Sequence, residues 1–184
     1  GVQMQGEYEE VLSFWFDETP PALHWKKDAT FDALITARFT ELHGRAARCE
    51  LFAWRSCAAG RLAEIILLDQ FSRNMFRDSA QAFAQDALAL ALAQEAVAQH
   101  ADRELTAEQR SFLYMPYMHS ESLFIHQQAV ELFRGNAFSN NLEFEIKHKA
   151  ILERFGRYPH RNTLLGRKST AEELQFLQQP GSVF

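Results

Sequence analysis

Apolar residues recur along the chain at three- and four-residue intervals, the spacing of one face of an α-helix. No run of β-branched residues alternates with polar ones long enough to form a strand. The pattern predicts a first helix at about 6–16, with Tyr8, Val11, Leu12 and Trp15 on one face and Pro20 and Pro21 ending it. A second spans about 29–43 on Phe31, Leu34, Ile35, Phe39 and Leu42, with Gly44 as its stop. Ser56 is placed to cap a third, whose stripe of Leu62, Ile65 and Ile66 runs on to Asp69. Ser79 caps a fourth that reaches about 99 on Phe83, Ala87, Leu90, Gln94 and Val97. Thr106 and Gln109 form a capping box for a fifth, which Pro116 must end or kink. A sixth covers about 119–134 before Gly135, a seventh opens at Asn140 with Glu143 and closes at Gly156, and Thr170 with Glu173 opens a short last helix. Short connections between such helices imply antiparallel neighbours, so the expected architecture is all-α, a stack of antiparallel helical hairpins. No linker rich in Pro, Gly or Ser divides the chain, which is read as one domain over 1–184. The Trp-x-x-Leu-Gly-x-x-Tyr signature of a tetratricopeptide array is not legible, so any repeat is one of geometry.

Composition narrows the class. At 184 residues, 47% hydrophobic and 23% charged, the chain can enclose a core without disulfides or metals as staples, and it is not a disordered chain. Its 19 Lys+Arg against 24 Asp+Glu give a net charge of −5, which argues against a general grip on nucleic acid or on a membrane surface. The charge is uneven: Lys147, Lys149, Arg154, Arg157, Arg161, Arg167 and Lys168 outnumber Glu143, Glu145 and Glu153 between 141 and 170, so a basic C-terminal third sits on an acidic body. Cys49 and Cys57 match no redox or zinc pattern and favour a reducing compartment. Gly1 to Glu10 has no basic residue, unlike a signal or transit peptide, and the longest Ala/Leu run, Ala87 to Ala93, is far short of the about 20 residues of a membrane span. The expected location is cytoplasmic.

Three segments carry candidate chemistry. In the first, Leu67 to Arg77, Asp69 points where its helix buries its apolar stripe, and a buried carboxylate needs a partner. Arg73, one turn later, is the nearest candidate, with Asn74 beside it, and Asp86 in the next helix is placed to hold Arg77. In the second, Arg110, Tyr114, Tyr117 and Glu121 form a polar-aromatic stripe suited to a cleft wall, while His119 falls with Phe112, Met115 and His126, as a core histidine would. In the third, Phe155 to Thr170, two glycines, a proline and the basic residues Arg157, His160, Arg161 and Arg167 share a loop with Asn162, a recipe for gripping an anion through guanidinium forks; His148 faces inward just before it. Each segment has a plainer reading as ion-paired helix ties or solvated charge.

Other chemistries fit less well. No two histidines have the i, i+4 spacing of a helical zinc site, so no metal and no cofactor is expected. Ser120, His119 and Asp69 make a triad only on paper, without a Gly-x-Ser-x-Gly elbow, and no phosphate-cradling Gly-x-x-x-x-Gly-Lys loop exists.

Four segments together carry a resemblance: Phe14-Trp15-Phe16, Leu67 to Asn74, Leu113 to Glu121, and the long run Gly156 to Thr170 with its Gly-Arg-x-Pro-His-Arg-Asn core. In these the chain resembles the bacterial domain-of-unknown-function family 924 over nearly its full length. Ser72 stands where that family's pattern has proline, a departure expected to loosen the turn. The resemblance implies an all-helical, tetratricopeptide-like superhelical array and implies no reaction. Two functions remain in view. The first is a polar cleft in which Arg73, Arg77, Arg157 and Arg161 bind a small anionic molecule or an acidic peptide segment. The second is a hydrolase-type enzyme in the same cleft, with His119 or His160 as general acid/base and Asp69 or Glu121 orienting it. A structural or protein-interaction scaffold is the third possibility, if every charge proves to be a helix tie.

Overall fold

The computed structural model describes residues 4–184, and among these every regular element is helical. Helix α1 (Met4–Leu12) runs into a π-helical stretch, Ser13–Glu18. After a 3-10 turn at Pro21–His24 comes α2 (Ala29–Ala47), capped by Asp28, whose carboxylate accepts the Phe31 N–H. Helix α3 (Ala58–Ile66) continues without a break through a second π-helical stretch, Leu67–Phe71, into α4 (Ser72–Met75). Then follow α5 (Asp86–Ala98), α6 (Ala107–His119), α7 (Leu123–Arg134), α8 (Asn141–Phe155) and α9 (Ala171–Phe176).

The α3–α4 rod is the centre of the molecule. Every residue from Leu62 to Ser72 is buried, as expected of a helix enclosed on all sides, with α1, α2, α5 and α6 packed around it. The rod meets the π-helical stretch Ser13–Glu18 and α2 through rings: Phe71 lies 5.6 Å from Trp15 and 6.0 Å from Phe14, and Phe39 of α2 sits 5.0 Å from Phe71. Edge-to-face rings at such spacings add to the burial itself. Glu64 is also buried in this rod and is met by a bidentate fork from Arg55 at 2.8 and 2.9 Å. A smaller cluster of Ile151, Leu152 and Tyr158, with Phe155 and Phe176, joins α8 to the C-terminal segment.

Several boundaries differ from those the sequence predicts, each for a local reason. Helix α2 passes through Gly44 to Ala47, because a lone glycine weakens a helix without stopping it. Cys57, not Ser56, caps α3, its sulfur accepting the Gly60 N–H. Beyond Ser79 the chain makes a 3-10 turn, Ala80–Phe83, and α5 begins only at Asp86. Its fully buried residues are Ala89, Ala93 and Ala96, whose small side chains allow close approach to α3 and α6, while Leu90 and Val97 of the expected stripe are partly buried against the core. Leu34, expected inward, is exposed. Helix α6 is not ended by Pro116 but runs to His119, and α7 starts at Leu123 with Ser122 as its cap. The capping boxes at Thr106 and Thr170 are both formed, and Gly156 closes α8 with a left-handed φ of 72°. Ser72 loosens nothing: it lies inside continuous helix, and a hydrogen bond of 2.7 Å joins its Oγ to His43 Nε2.

Two glycines should respond to alanine with opposite signs. A Cβ on Gly60 would lie 2.1 Å from the Trp54 carbonyl oxygen, a backbone atom that cannot swing aside, whereas on Gly44 it would meet only the tip of the Arg48 side chain at 3.2 Å. Gly60→Ala is expected to destabilise the protein by at least about 2 kcal/mol, and Gly44→Ala to stabilise it by up to about 1 kcal/mol through helix propensity. Urea unfolding of the two variants checks this, and equal midpoints would contradict the packing described.

Candidate functional site

The π-helical stretch Leu67–Phe71 places Asp69, with 0% of its surface exposed, at the start of a chain of charges. Its Oδ1 accepts from His119 Nδ1 at 2.7 Å and from Arg73 Nη1 at 3.3 Å, and its Oδ2 accepts from Gln70 at 3.2 Å. Arg73 sends both its terminal nitrogens to Asp86 at 2.9 Å. Asp86 in turn lies 3.7 Å from Arg161 Nη1, which is 3.8 Å from Glu121. Arg161 donates from Nη2 to the carbonyl of His119 at 2.9 Å, so the end of α6 and the loop after α8 are tied at this point. Glu121 is gripped by both arms of Arg167 at 2.9 and 3.0 Å and accepts the Tyr158 N–H at 2.7 Å.

One face of this chain borders a cleft of ≈ 460 Å³. Gln70, Arg73, Asn74, His119, His160 and Arg161 form its polar side, with Arg77 nearby. Trp25, Phe83, Leu164, Val183 and Phe184 supply its apolar lining, Phe83 against Arg161 and Phe184 against His160, and His24, Lys26 and Lys27 complete it. Helix breaks expose this surface. Helix α6 ends at His119, beyond which the backbone turns extended at Ser120, so the imidazole projects from a helix terminus.

Protonation at the Asp69–His119 pair follows from its surroundings. Burial alone would push the Asp69 carboxyl up, but the hydrogen bond from His119, the Arg73 guanidinium and the hydrogen bond from Gln70 outweigh it and hold the group below its usual range. An ionised carboxylate can only accept, so the shared proton belongs to Nδ1 of His119. His119 itself is pushed below an ordinary histidine, first by burial and then by the Arg73 charge, against the pull of Asp69. The ring is therefore neutral near pH 7, with its lone pair on Nε2. A carboxylate that fixes the tautomer of an imidazole beside a cleft is the arrangement of a general base.

The sequence matches, over residues 11–181, the family described as bacterial protein of unknown function DUF924. The chain belongs to that family. Among curated proteins none matches it. Its structure is similar to a solved one, the protein of unknown function ATU0120 from Agrobacterium tumefaciens, at 38% identity and a TM-score of 0.91, covering 95% of this chain and 98% of that one.

The shared segments do not all reach the cleft. Of the residues singled out from sequence, Arg73, Asn74, Arg77, His119, His160 and Arg161 line it, and Asp69 stands directly behind His119. Arg77 is held by Asp32 at 2.6 and 3.0 Å, not by Asp86, and Asn74 donates to the same carboxylate. Arg157 forks onto Glu173 and takes no part in the cleft. Arg110 donates to Asn136 and the Leu105 carbonyl, and Tyr114 to Asp102, so that stripe ties α6 to its neighbours and walls no cleft. Glu121 and Asn162 pin the loop from behind, Asn162 accepting from Arg167 and donating to Ser169. His148 bonds the Phe144 carbonyl in its own helix and packs on Tyr158 and Phe184. The segment His24 to Lys27 and the Val183–Phe184 end were missed, since neither has a periodic pattern; an aromatic beside three titratable residues just after two prolines was the available signal.

A second buried pair lies next door. His126 Nδ1 is 2.7 Å from Glu145, with both side chains fully enclosed, and its Nε2 donates to the Ser120 carbonyl. Burial pushes Glu145 up. This pair clamps α7 to α8 and to the turn that carries His119.

The buried histidines set an acid limit. Burial holds His160 down at about 4 and His148 at about 3, and lowers His119, His43 and His24. Below about 6.5 the unfolded chain takes up protons that the folded chain refuses, so the stability of these neutral rings is complete above that pH and is lost as pH falls. Asp69 and Glu121, held below their usual range, add losses of the same sign at lower pH, while Glu145 opposes them. Calorimetry at fixed ionic strength should show the melting temperature falling by roughly 10 °C between pH 7 and 4.5. His148→Asn should flatten that fall, and a level profile in the parent protein would contradict the protonation states assigned.

Proposed function

We propose that the cleft binds a small organic anion and that His119, oriented by Asp69, acts on it as general base, in a hydrolase-type or other proton-transfer reaction. The observation that carries this reading is the 2.7 Å bond from His119 Nδ1 to a buried carboxylate, in a ring that borders a cleft together with Arg73 and Arg161. Among the described residues lining the cleft none offers a hydroxyl or thiol, so the group activated is a water or a proton of the substrate itself. His160 is neutral near pH 7 and is a second proton carrier on the same wall.

The surrounding reading is that of a cytoplasmic protein whose helices stack like tetratricopeptide hairpins. It is supported by the successive packing of α5 on α6, α6 on α7 and α7 on α8, and by two cysteines left as thiols. No helix among the described residues is long and apolar enough to cross a membrane. A pure binding role, for the same anion or for an acidic peptide end, is favoured by a different observation: five cations, Lys26, Lys27, Arg73, Arg77 and Arg161, line the cleft against one acid, Asp78.

Turnover of small carboxylate- and phosphate-bearing esters and amides at pH 7 separates the two. Under the enzyme reading His119→Ala lowers kcat by roughly 100-fold or more, and nitrogen-resolved NMR finds the His119 proton on Nδ1. Activity that survives His119→Ala, or a proton found on Nε2, removes the general base and leaves the binding role.

A further inference from the structure

The charges around the cleft go further and indicate what kind of anion it takes. Lys27 is paired with Asp78 at 3.5 Å and Arg77 with Asp32. Arg73, Arg161 and Arg167 share Asp69, Asp86 and Glu121. Among these side chains, Lys26, Lys27, Arg73, Arg77, Arg161 and Arg167 face the five carboxylates Asp32, Asp69, Asp78, Asp86 and Glu121, so a single positive charge is unmatched. Lys26 is the cation with no ion pair among the described residues.

Arg161 adds uncommitted donors. It is 5% exposed, yet its Nε has no hydrogen-bond partner and its Nη1 reaches carboxylates only at 3.7 and 3.8 Å. Buried donors left in this state gain most from an incoming acceptor. The cleft is also lined by apolar side chains. Among them Trp25 has one face covered by Phe112, 5.4 Å away and nearly parallel, and is 58% exposed. Leu164 and Val183 also line the cleft, and the Phe83 ring lies against the Arg161 guanidinium at 4.5 Å.

We infer that the cleft is built for a monocarboxylate carrying an aromatic or similarly broad apolar group, with the carboxylate at Arg161 beside His119 and the apolar group against Trp25. A dianionic phosphate brings one charge more than the surroundings match, and a carboxylate without an apolar body leaves the Trp25 wall wet. The inference rests on the reading of this cleft as an anion site, and it places the atoms adjoining the carboxylate next to the His119 lone pair.

Calorimetric titration at pH 7.5 and fixed ionic strength tests it with four probes: 3-phenylpropionate, propionate, 3-phenylpropanol and phenyl phosphate. The expected result is saturable binding of 3-phenylpropionate at least about tenfold tighter than of each other probe. Trp25→Ala should erase the advantage over propionate in a protein that still melts cooperatively, at a temperature lowered by the loss of the Phe112 stack. Arg161→Lys should weaken 3-phenylpropionate and leave 3-phenylpropanol unchanged. Tighter binding of phenyl phosphate, equal binding of the alcohol, an advantage that survives Trp25→Ala, or no binding of 3-phenylpropionate overturns the inference. The outcomes remain separable from those of the general-base reading. His119-dependent turnover confined to phosphate substrates would leave the base standing and this ligand class refuted, and tight 3-phenylpropionate binding with His119-independent turnover would do the reverse.

Discussion

Asp69 is enclosed on every side in the π-helical middle of the central rod, and a carboxylate stranded there without partners would cost several kcal/mol. Its partners therefore dictate the arrangement around it. His119 must come from the end of α6 and Arg73 from the next turn of the same rod, and Arg73 then carries the second carboxylate, Asp86, at the head of α5. Asp86 and Glu121 leave room for one more cation, which the loop after α8 supplies as Arg161. Four segments of the chain meet because one buried charge has to be answered, and each answer buries another charge.

The π-helical geometry matters to this result. A wider turn inserts a residue and shifts the phase of all that follows, and such insertions recur where proteins hold functional groups. Here it lets ten and more consecutive residues of the rod be buried while still turning Asp69 and Arg73 toward α6 and α5. The matching π stretch at Ser13–Glu18 brings Phe14 and Trp15 against Phe71, so the same rod is gripped by rings on one side and by ions on the other. Ring packing supplies burial; the ion chain supplies direction, since its bonds hold only at defined angles.

Much of the helical plan was legible in the residues. The two capping boxes, Gly135 and Gly156 marked ends that the structure keeps, because a cap acts within four residues of itself. The burial of Asp69 was legible too, as the continuation of the Leu62–Ile66 stripe. The stripe read for helix α5 packs only in part, because its alanines and leucines spread around the helix and leave no clear face to read, and the choice of its alanines was made by the neighbours that press on it. Gly44 was read as a stop and Pro116 as an end or a kink, although tertiary packing on either side is enough to carry a helix past one poor residue.

The sequence by itself determined the helical plan, the caps at Thr106 and Thr170, the family to which the chain belongs, and the arginines and histidines that reach the cleft from segments 67–77 and 155–170 and from α6. It did not determine which carboxylate meets which arginine. Arg77 goes to Asp32 and Arg157 to Glu173, while Arg73 and Arg161 converge on Asp86, and no local rule separates these four. Periodicity is a property of neighbours in the chain, whereas an ion pair depends on distances of a few ångströms between elements whose relative placement is set by packing the whole core. For the same reason the His24–Lys27 turn and the Val183–Phe184 end, which have no pattern of their own, became walls of the cleft only in the folded molecule.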